Sequence, residues 1–166
     1  MTPRATIRFE YTQESAVIDA RFGHVNLIAR DWVALADFYR RVFGCVDVPP
    51  VRDYSGPILS AGTGVPGAAL RGIHLRLPGR GTTGPTLEIY QYDPSLDHPP
   101  TEANRPGFGH LAFQVPEVES ARGIVLAEGG GTVGDVVTTE TADGRHVTWT
   151  YVTDPEGNIV ELQSWS

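Results

Sequence analysis

The sequence predicts an α+β fold built from two copies of a βαβββ module. The tripeptide Phe-Gly-His occurs twice, at 22–24 and 108–110, and each copy opens an apolar run. A helix pattern and three strand patterns follow each run, and such repetition is typical of duplicated architectures. We therefore expect a single domain over residues 21–166, with modules at about 21–95 and 106–166 and an N-terminal extension at 1–20.

Each module contains one predicted helix. In the first module, Asp31 is suited to cap the helix and Gly44 to end it. The residues on one face of this helix are apolar: Trp32, Leu35, Ala36, Tyr39, Val42 and Phe43. In the second module, Pro116 is predicted in the first turn, and the glycines at 129–131 end a thinner stripe of Val118, Ala121 and Val125.

Three strand patterns follow each helix. They lie at 45–51, 69–77 and 86–92 in the first module and at 132–141, 146–153 and 159–165 in the second. The DPEGN segment at 154–158 predicts a turn between the last two strands. The Pro- and Gly-rich segments 49–67 and 93–107 are predicted as loops that border a binding site, and residues 7–11 as an edge strand.

Composition excludes several classes of function. The formal net charge of −7 argues against a nucleic-acid partner, because neutralising phosphates needs a surplus of Lys and Arg. The chain has no apolar run long enough to span a membrane and no apolar signal core near its start, so we expect a cytoplasmic protein. Cys45 is the single cysteine and is predicted to be a small buried apolar side chain.

Strand alternation suggests a metal site. In four strands the apolar side chains share one face, and the opposite face carries His24, Glu88, His110 or Glu161. An approximate twofold between the modules would bring these two imidazoles and two carboxylates together. Two neutral nitrogens and two anionic oxygens suit one divalent first-row metal, whereas the carboxylates alone would repel each other.

The remaining histidines lack this setting. His74 lies within a predicted strand but has no counterpart in the other module, so it is a candidate only for substrate contact. His98 and His146 lie in or beside turn-rich segments and are predicted on the surface.

The repeated module, the DPEGN turn and the His/Glu/His/Glu set resemble the vicinal oxygen chelate superfamily. That superfamily includes glyoxalase I, methylmalonyl-CoA epimerase, extradiol dioxygenases, fosfomycin-resistance enzymes and bleomycin-binding proteins. The resemblance covers residues 21–166. It implies that the modules form an incomplete barrel around one divalent metal (Ni, Zn, Co, Mn or Fe), commonly within a homodimer.

The ligand set distinguishes between members of the superfamily. Bleomycin-binding proteins generally lack the metal residues, so all four favour an enzyme, and the pattern is most similar to bacterial glyoxalase I. The set His24, His110 and Glu161 is similar to that of Fe(II) extradiol dioxygenases, although Glu88 would close a position that oxygen needs. Glyoxalase I has an Arg and an Asn for glutathione where this chain has Ile28 and Tyr92, so glutathione is not predicted as a cosubstrate.

The resemblance implies a lyase, isomerase or epimerase that moves a proton next to a carbonyl. Glu161 would be the base, and Glu88 a ligand and partner acid. The substrate would be a small carbonyl or aromatic molecule in a cup lined by Asn26, Tyr90, Tyr92 and Gln114. Two alternatives stay open: an Fe(II) extradiol-type dioxygenase, and a bleomycin-resistance-type protein that binds an aromatic compound without transforming it.

Overall fold

The computed structural model describes residues 18–97 and 99–166, so the edge strand predicted at 7–11 and the predicted surface position of His98 lie outside it. Within these ranges no helix is long and apolar enough to cross a membrane. The helices and strands, in chain order, are β1 (His24–Ile28), α1 (Trp32–Phe43), β2 (Val46–Ser55), α2 (Pro57–Thr63), β3 (Ala69–Arg76), β4 (Thr86–Asp93), β5 (Leu111–Gln114), α3 (Val118–Ala127), β6 (Gly131–Thr132), β7 (Val137–Glu140), β8 (His146–Thr153) and β9 (Ile159–Trp165).

The strands form two sheets, one per module, and the described part of the chain contains no closed barrel. The first sheet has the order β1-β4-β3-β2, with β1 parallel to β4 and the other pairs antiparallel. The second has the order β5-β9-β8-β6, with β5 parallel to β9, and β7 also pairs with β8. Because both sheets place their first strand beside their last, the predicted pair of βαβββ modules is confirmed.

Helix α1 has the predicted cap and stop. The Asp31 carboxylate accepts hydrogen bonds from the backbone N–H groups of Val33 and Ala34, both at 3.0 Å. Gly44 ends the helix in the left-handed region, with φ 67°. Phe38, which was not expected on the apolar face, is buried together with Leu35, Ala36 and Tyr39.

Helix α3 begins later than predicted. Pro116 precedes it, and Glu117 caps it by accepting hydrogen bonds from the backbone N–H groups of Glu119 and Ser120 at 2.9 and 2.7 Å. The carboxylate thus satisfies two N–H groups that the first turn would leave unpaired, and regular helix starts only at Val118. The predicted stripe packs on the core: Val118 and Val125 are buried, and Ala121 is partly buried against them.

The loop prediction for 49–67 is wrong. β2 continues to Ser55, with a register shift between Val48 and Arg52, and α2 follows it. Pro57 is the first residue of α2, a position whose N–H group has no acceptor within the helix, so proline loses no hydrogen bond there. Gly64 ends the helix in the left-handed region. Pro57 and Gly64 therefore delimit a short helix. In the second module, the strand predicted at 132–141 is divided between β6 and β7.

One hydrophobic core serves both modules. Buried side chains of both helices α1 and α3 and of both sheets belong to a single cluster. Phe43 of α1 stacks on Phe113 of β5 with ring centroids 3.9 Å apart. Cys45 is buried at the end of α1, as predicted, and burial raises its pKa to about 11, so its thiol stays protonated at neutral pH.

The DPEGN turn joins the second module to α1. The buried carboxylate of Asp154 accepts a hydrogen bond from the Tyr39 hydroxyl at 3.0 Å. It also accepts from the backbone N–H groups of Glu156 and Asn158, each at 2.9 Å. Burial raises the pKa of Asp154, and these hydrogen bonds oppose that rise.

Glu156 makes a second connection to the start of α1. Its Oε1 atom accepts hydrogen bonds from the backbone N–H groups of Arg30 and Asp31 at 2.8 and 2.9 Å. Its Oε2 atom accepts from the Arg30 guanidinium at 3.2 Å. The DPEGN turn is thus hydrogen-bonded both to the residues that precede α1 and to Tyr39 within the helix.

We expect Tyr39→Phe to lower the free energy of unfolding by about 1–3 kcal/mol, because it removes a buried hydrogen bond to a carboxyl group. Urea unfolding followed by circular dichroism measures this loss. Tyr54→Phe is the matched control, since Tyr54 is 52% exposed and should change stability by no more than about 0.5 kcal/mol. Equal effects of the two substitutions would show that the contact with Asp154 does not stabilise the fold.

Candidate functional site

The first candidate ligand pair lies on the open face of the first sheet, defined here as the face opposite α1. Nε2 of His24 on β1 is 3.4 Å from Oε2 of Glu88 on β4. The Asn26 side chain donates a hydrogen bond to the same oxygen, also at 3.4 Å. Glu88 is buried, with 8% exposure, so neighbouring polar groups take the place of water around its carboxyl group.

His74 also contacts Glu88, which the sequence analysis missed. The register of β3 and β4 places His74 directly opposite Glu88, and its Nε2 atom lies 2.9 Å from Glu88 Oε1. Burial lowers the pKa of His74, although the charge of Glu88 opposes this. The ring is therefore neutral at pH 7, and its Nε2 atom contacts the carboxyl group. Pairing the two predicted strands as a hairpin in this register would have revealed the contact.

Gly72 allows Tyr90 to reach His74. Tyr90 is the cross-strand partner of Gly72, and a Cβ atom there would overlap the Ile89 carbonyl and the Tyr90 ring. The Tyr90 hydroxyl lies 2.7 Å from Nε2 of His74. Burial, and then the charge of Glu88, raise the pKa of Tyr90 to about 12, so the hydroxyl keeps its proton at neutral pH.

The second candidate ligand pair occupies the equivalent strands of the other module. Nε2 of His110, which immediately precedes β5, lies 2.8 Å from Oε2 of Glu161 on β9. The residue opposite Glu161 on β8 is Tyr151, whose ring centroid lies 5.0 Å from that of His110. Burial, and then the charge of Glu161, raise the pKa of Tyr151.

The structure joins each predicted histidine to its glutamate but does not gather all four side chains. Within residues 18–97 and 99–166, no three His, Cys, Asp or Glu side chains form a group that could hold a metal ion. Ligand atoms at right angles around a metal, with bonds of about 2.1 Å, lie about 3.0 Å apart. The nitrogen–oxygen separations of 3.4 and 2.8 Å are close to that value, so each pair fits half of a coordination sphere.

The predicted substrate contacts are spread along the two sheets. Asn26 and Tyr90 lie beside Glu88, whereas Gln114 is exposed on β5. Tyr92 lines a cleft with a volume of about 530 Å³, at which the candidate ligands do not lie. Another cleft, of about 310 Å³, is lined by Asn26 and Leu111, which neighbour the first and second pairs respectively. His146 is exposed, as predicted.

Two βαβββ modules, each with a His–Glu pair on its first and last strands, define a protein of the glyoxalase fold. The model of the Glyoxalase/Bleomycin resistance protein/Dioxygenase superfamily matches residues 21–162. The chain therefore belongs to this superfamily, and the resemblance to vicinal oxygen chelate proteins is confirmed.

Solved structures share this fold. A glyoxalase family protein from Bacillus cereus has a TM-score of 0.75 and 15% identity over 92% of this chain and 99% of its own. A glyoxalase family protein from Enterococcus faecalis has a TM-score of 0.54 and 22% identity over 87% and 98%. A glyoxalase/bleomycin resistance protein/dioxygenase family enzyme from Burkholderia phytofirmans has a TM-score of 0.53 and 19% identity over 87% of this chain and 98% of its own. No curated protein matches the chain.

We expect the contribution of Tyr90 to stability to fall as pH rises from 10 to about 12. The phenol ionises near pH 10.0 in the unfolded chain but near 12 in the folded one. A group whose pKa is raised by folding stabilises fully below the unfolded pKa and loses that effect as pH passes the folded pKa.

Urea unfolding of the wild type and of Tyr90→Phe, at closely spaced pH values across this window, measures the effect. The difference in unfolding free energy should shrink with pH. Glu88→Gln should lower the pKa of Tyr90 because it removes a neighbouring charge. A difference that stays constant across the window would contradict the expected burial of Tyr90.

Proposed function

We propose that this protein is a metal-dependent lyase, isomerase or epimerase that moves a proton on a carbon next to a carbonyl group. The supporting observation is that equivalent strands of both modules present one imidazole in contact with one carboxylate. The superfamily includes many enzymes, and a paired imidazole and carboxylate in each half is the donor set that a divalent first-row metal takes.

The proposed site is shared between two copies of the chain. His24 and Glu88 of one copy face His110 and Glu161 of the other. Each pair fits half of a coordination sphere, and no complete group exists within the described part of one chain.

The two glutamates would have different roles in the reaction. When bound, a divalent metal supplies Lewis-acid stabilisation of the negative charge that develops on the substrate oxygens. Glu161, only half-buried, takes the proton from the substrate carbon and returns it. Glu88 stays in place as a ligand, and Asn26 and Tyr90 beside it orient the substrate.

One observation favours a second candidate function, a small-molecule binding protein. On the second sheet, Trp149 lies 5.2 Å from Tyr151, and Tyr151 lies 5.0 Å from His110, measured between ring centroids. A planar aromatic ligand would stack on one of these rings and meet its tilted neighbours at their edges. Metal content of protein purified without added metal separates the candidates: stoichiometric Ni, Zn, Co, Mn or Fe supports the enzyme, and iron with oxygen-dependent turnover of catechols supports the dioxygenase alternative.

We expect His24→Ala and His110→Ala each to lose tight Zn²⁺ binding, measured by equilibrium dialysis. When the two variants are unfolded together and refolded as a mixture, half of the dimers should be mixed. Each mixed dimer then carries one intact site, so about a quarter of all sites should regain the metal. His146→Ala is the matched control and should bind fully, since His146 is exposed. A mixture that regains nothing would show that the site does not lie between copies.

We expect Glu161→Gln to keep the fold but to slow proton transfer by about 10²–10⁴-fold, because it removes the base. The measurement is exchange of the carbon-bound hydrogen with D₂O, followed by proton NMR over a panel of small α-hydroxy and α-thio carbonyl compounds. Glu140→Gln is the control, since Glu140 is exposed on β7. Unchanged exchange in Glu161→Gln would exclude it as the base.

A further inference from the structure

We infer that His74 is a positioning residue that fixes Glu88 as a permanent ligand and thereby makes the two glutamates of the site unequal. This inference rests on the proposed function, because it assigns roles within the same metal site. It concerns a side chain on β3, outside the His/Glu/His/Glu set.

Both oxygens of the Glu88 carboxylate are held. His74 lies 2.9 Å from Oε1, whereas His24 and the Asn26 amide approach Oε2, each at 3.4 Å. The Glu88 side chain is 10% exposed, so water does not readily replace these contacts. Rotation of the carboxylate would break contacts on both sides, and groups that hold a ligand in this way orient it towards its metal.

The equivalent carboxylate in the second module lacks this restraint. The residue opposite Glu161 in the strand register is Tyr151, where the first module has His74 opposite Glu88. Among the described residues, His110 is the one side chain within hydrogen-bonding distance of a Glu161 carboxylate oxygen. Glu161 is therefore free to turn away from a bound metal, whereas Glu88 is not.

His74 is itself held in place. Its Nε2 atom lies 2.7 Å from the Tyr90 hydroxyl, and Tyr90 can lie close to the sheet only because Gly72 has no side chain. These three residues belong to the paired strands β3 and β4, whose register sets their separation. The arrangement thus locks the imidazole that holds Glu88.

Co²⁺ binding to the full-length protein tests the inference. His74→Leu removes the imidazole that contacts Glu88 Oε1 and should weaken Co²⁺ binding by about 10–100-fold, while the visible spectrum of the saturated protein stays the same because no ligand is lost. His74→Gln places an amide N–H beside the carboxylate and should restore affinity to within a few-fold of the wild type. His146→Leu, at an exposed histidine, is the matched control and should change neither quantity.

Each outcome decides the question. Wild-type affinity in His74→Leu would show that His74 has no role at Glu88. A changed Co²⁺ spectrum, with no rescue by Gln, would show that His74 is a ligand and would overturn a positioning role. A wild type that takes up no Co²⁺ would overturn the proposed function, and with it this inference. Circular dichroism reports folding, and if His74→Leu does not fold, Tyr90→Phe replaces it: a lower affinity supports the inference and an unchanged one overturns it.

Discussion

The hydrogen bond from the Tyr39 hydroxyl to the buried carboxylate of Asp154 sets the relation between the two halves of the molecule. A buried carboxylate is tolerated only where donors surround it, so the turn that carries Asp154 must lie against α1. That turn leads directly into β9, and β9 carries Glu161. The position of the second His–Glu pair relative to the first therefore depends on a contact that lies outside both pairs.

The two modules have similar backbones but different residues around their glutamates. Their sheets have the same strand order, and the same strands carry a histidine and a glutamate. The residues that face the glutamates differ, because His74 contacts Glu88 whereas Tyr151 packs against His110. A duplicated scaffold can thus place two equivalent carboxylates in different surroundings, which identical halves could not do.

Much of the fold and of the candidate site was predictable from the sequence, because alternation along a strand shows which side chains share a face. The repeat, the α1 cap at Asp31 and the pairing of each histidine with its glutamate followed from local patterns of this kind. The contact of His74 with Glu88 depends on strand register, which the separate strand patterns do not specify. The segment 49–67 was misjudged because Pro and Gly mark helix ends as well as loops. Whether the four candidate ligands lie together depends on how the modules pack, and that is decided by non-local contacts such as the one between Phe43 and Phe113.

The shared core has a consequence for how such a fold could have originated. Because α1 packs on β5 through the stacked rings of Phe43 and Phe113, each half covers apolar surface of the other. An ancestral half-length chain would have left that surface in water and would have needed a twin to fold. Fusion of the twins into one gene would have removed that requirement. From then on each half could diverge by itself, since a mutation in one no longer appeared in both.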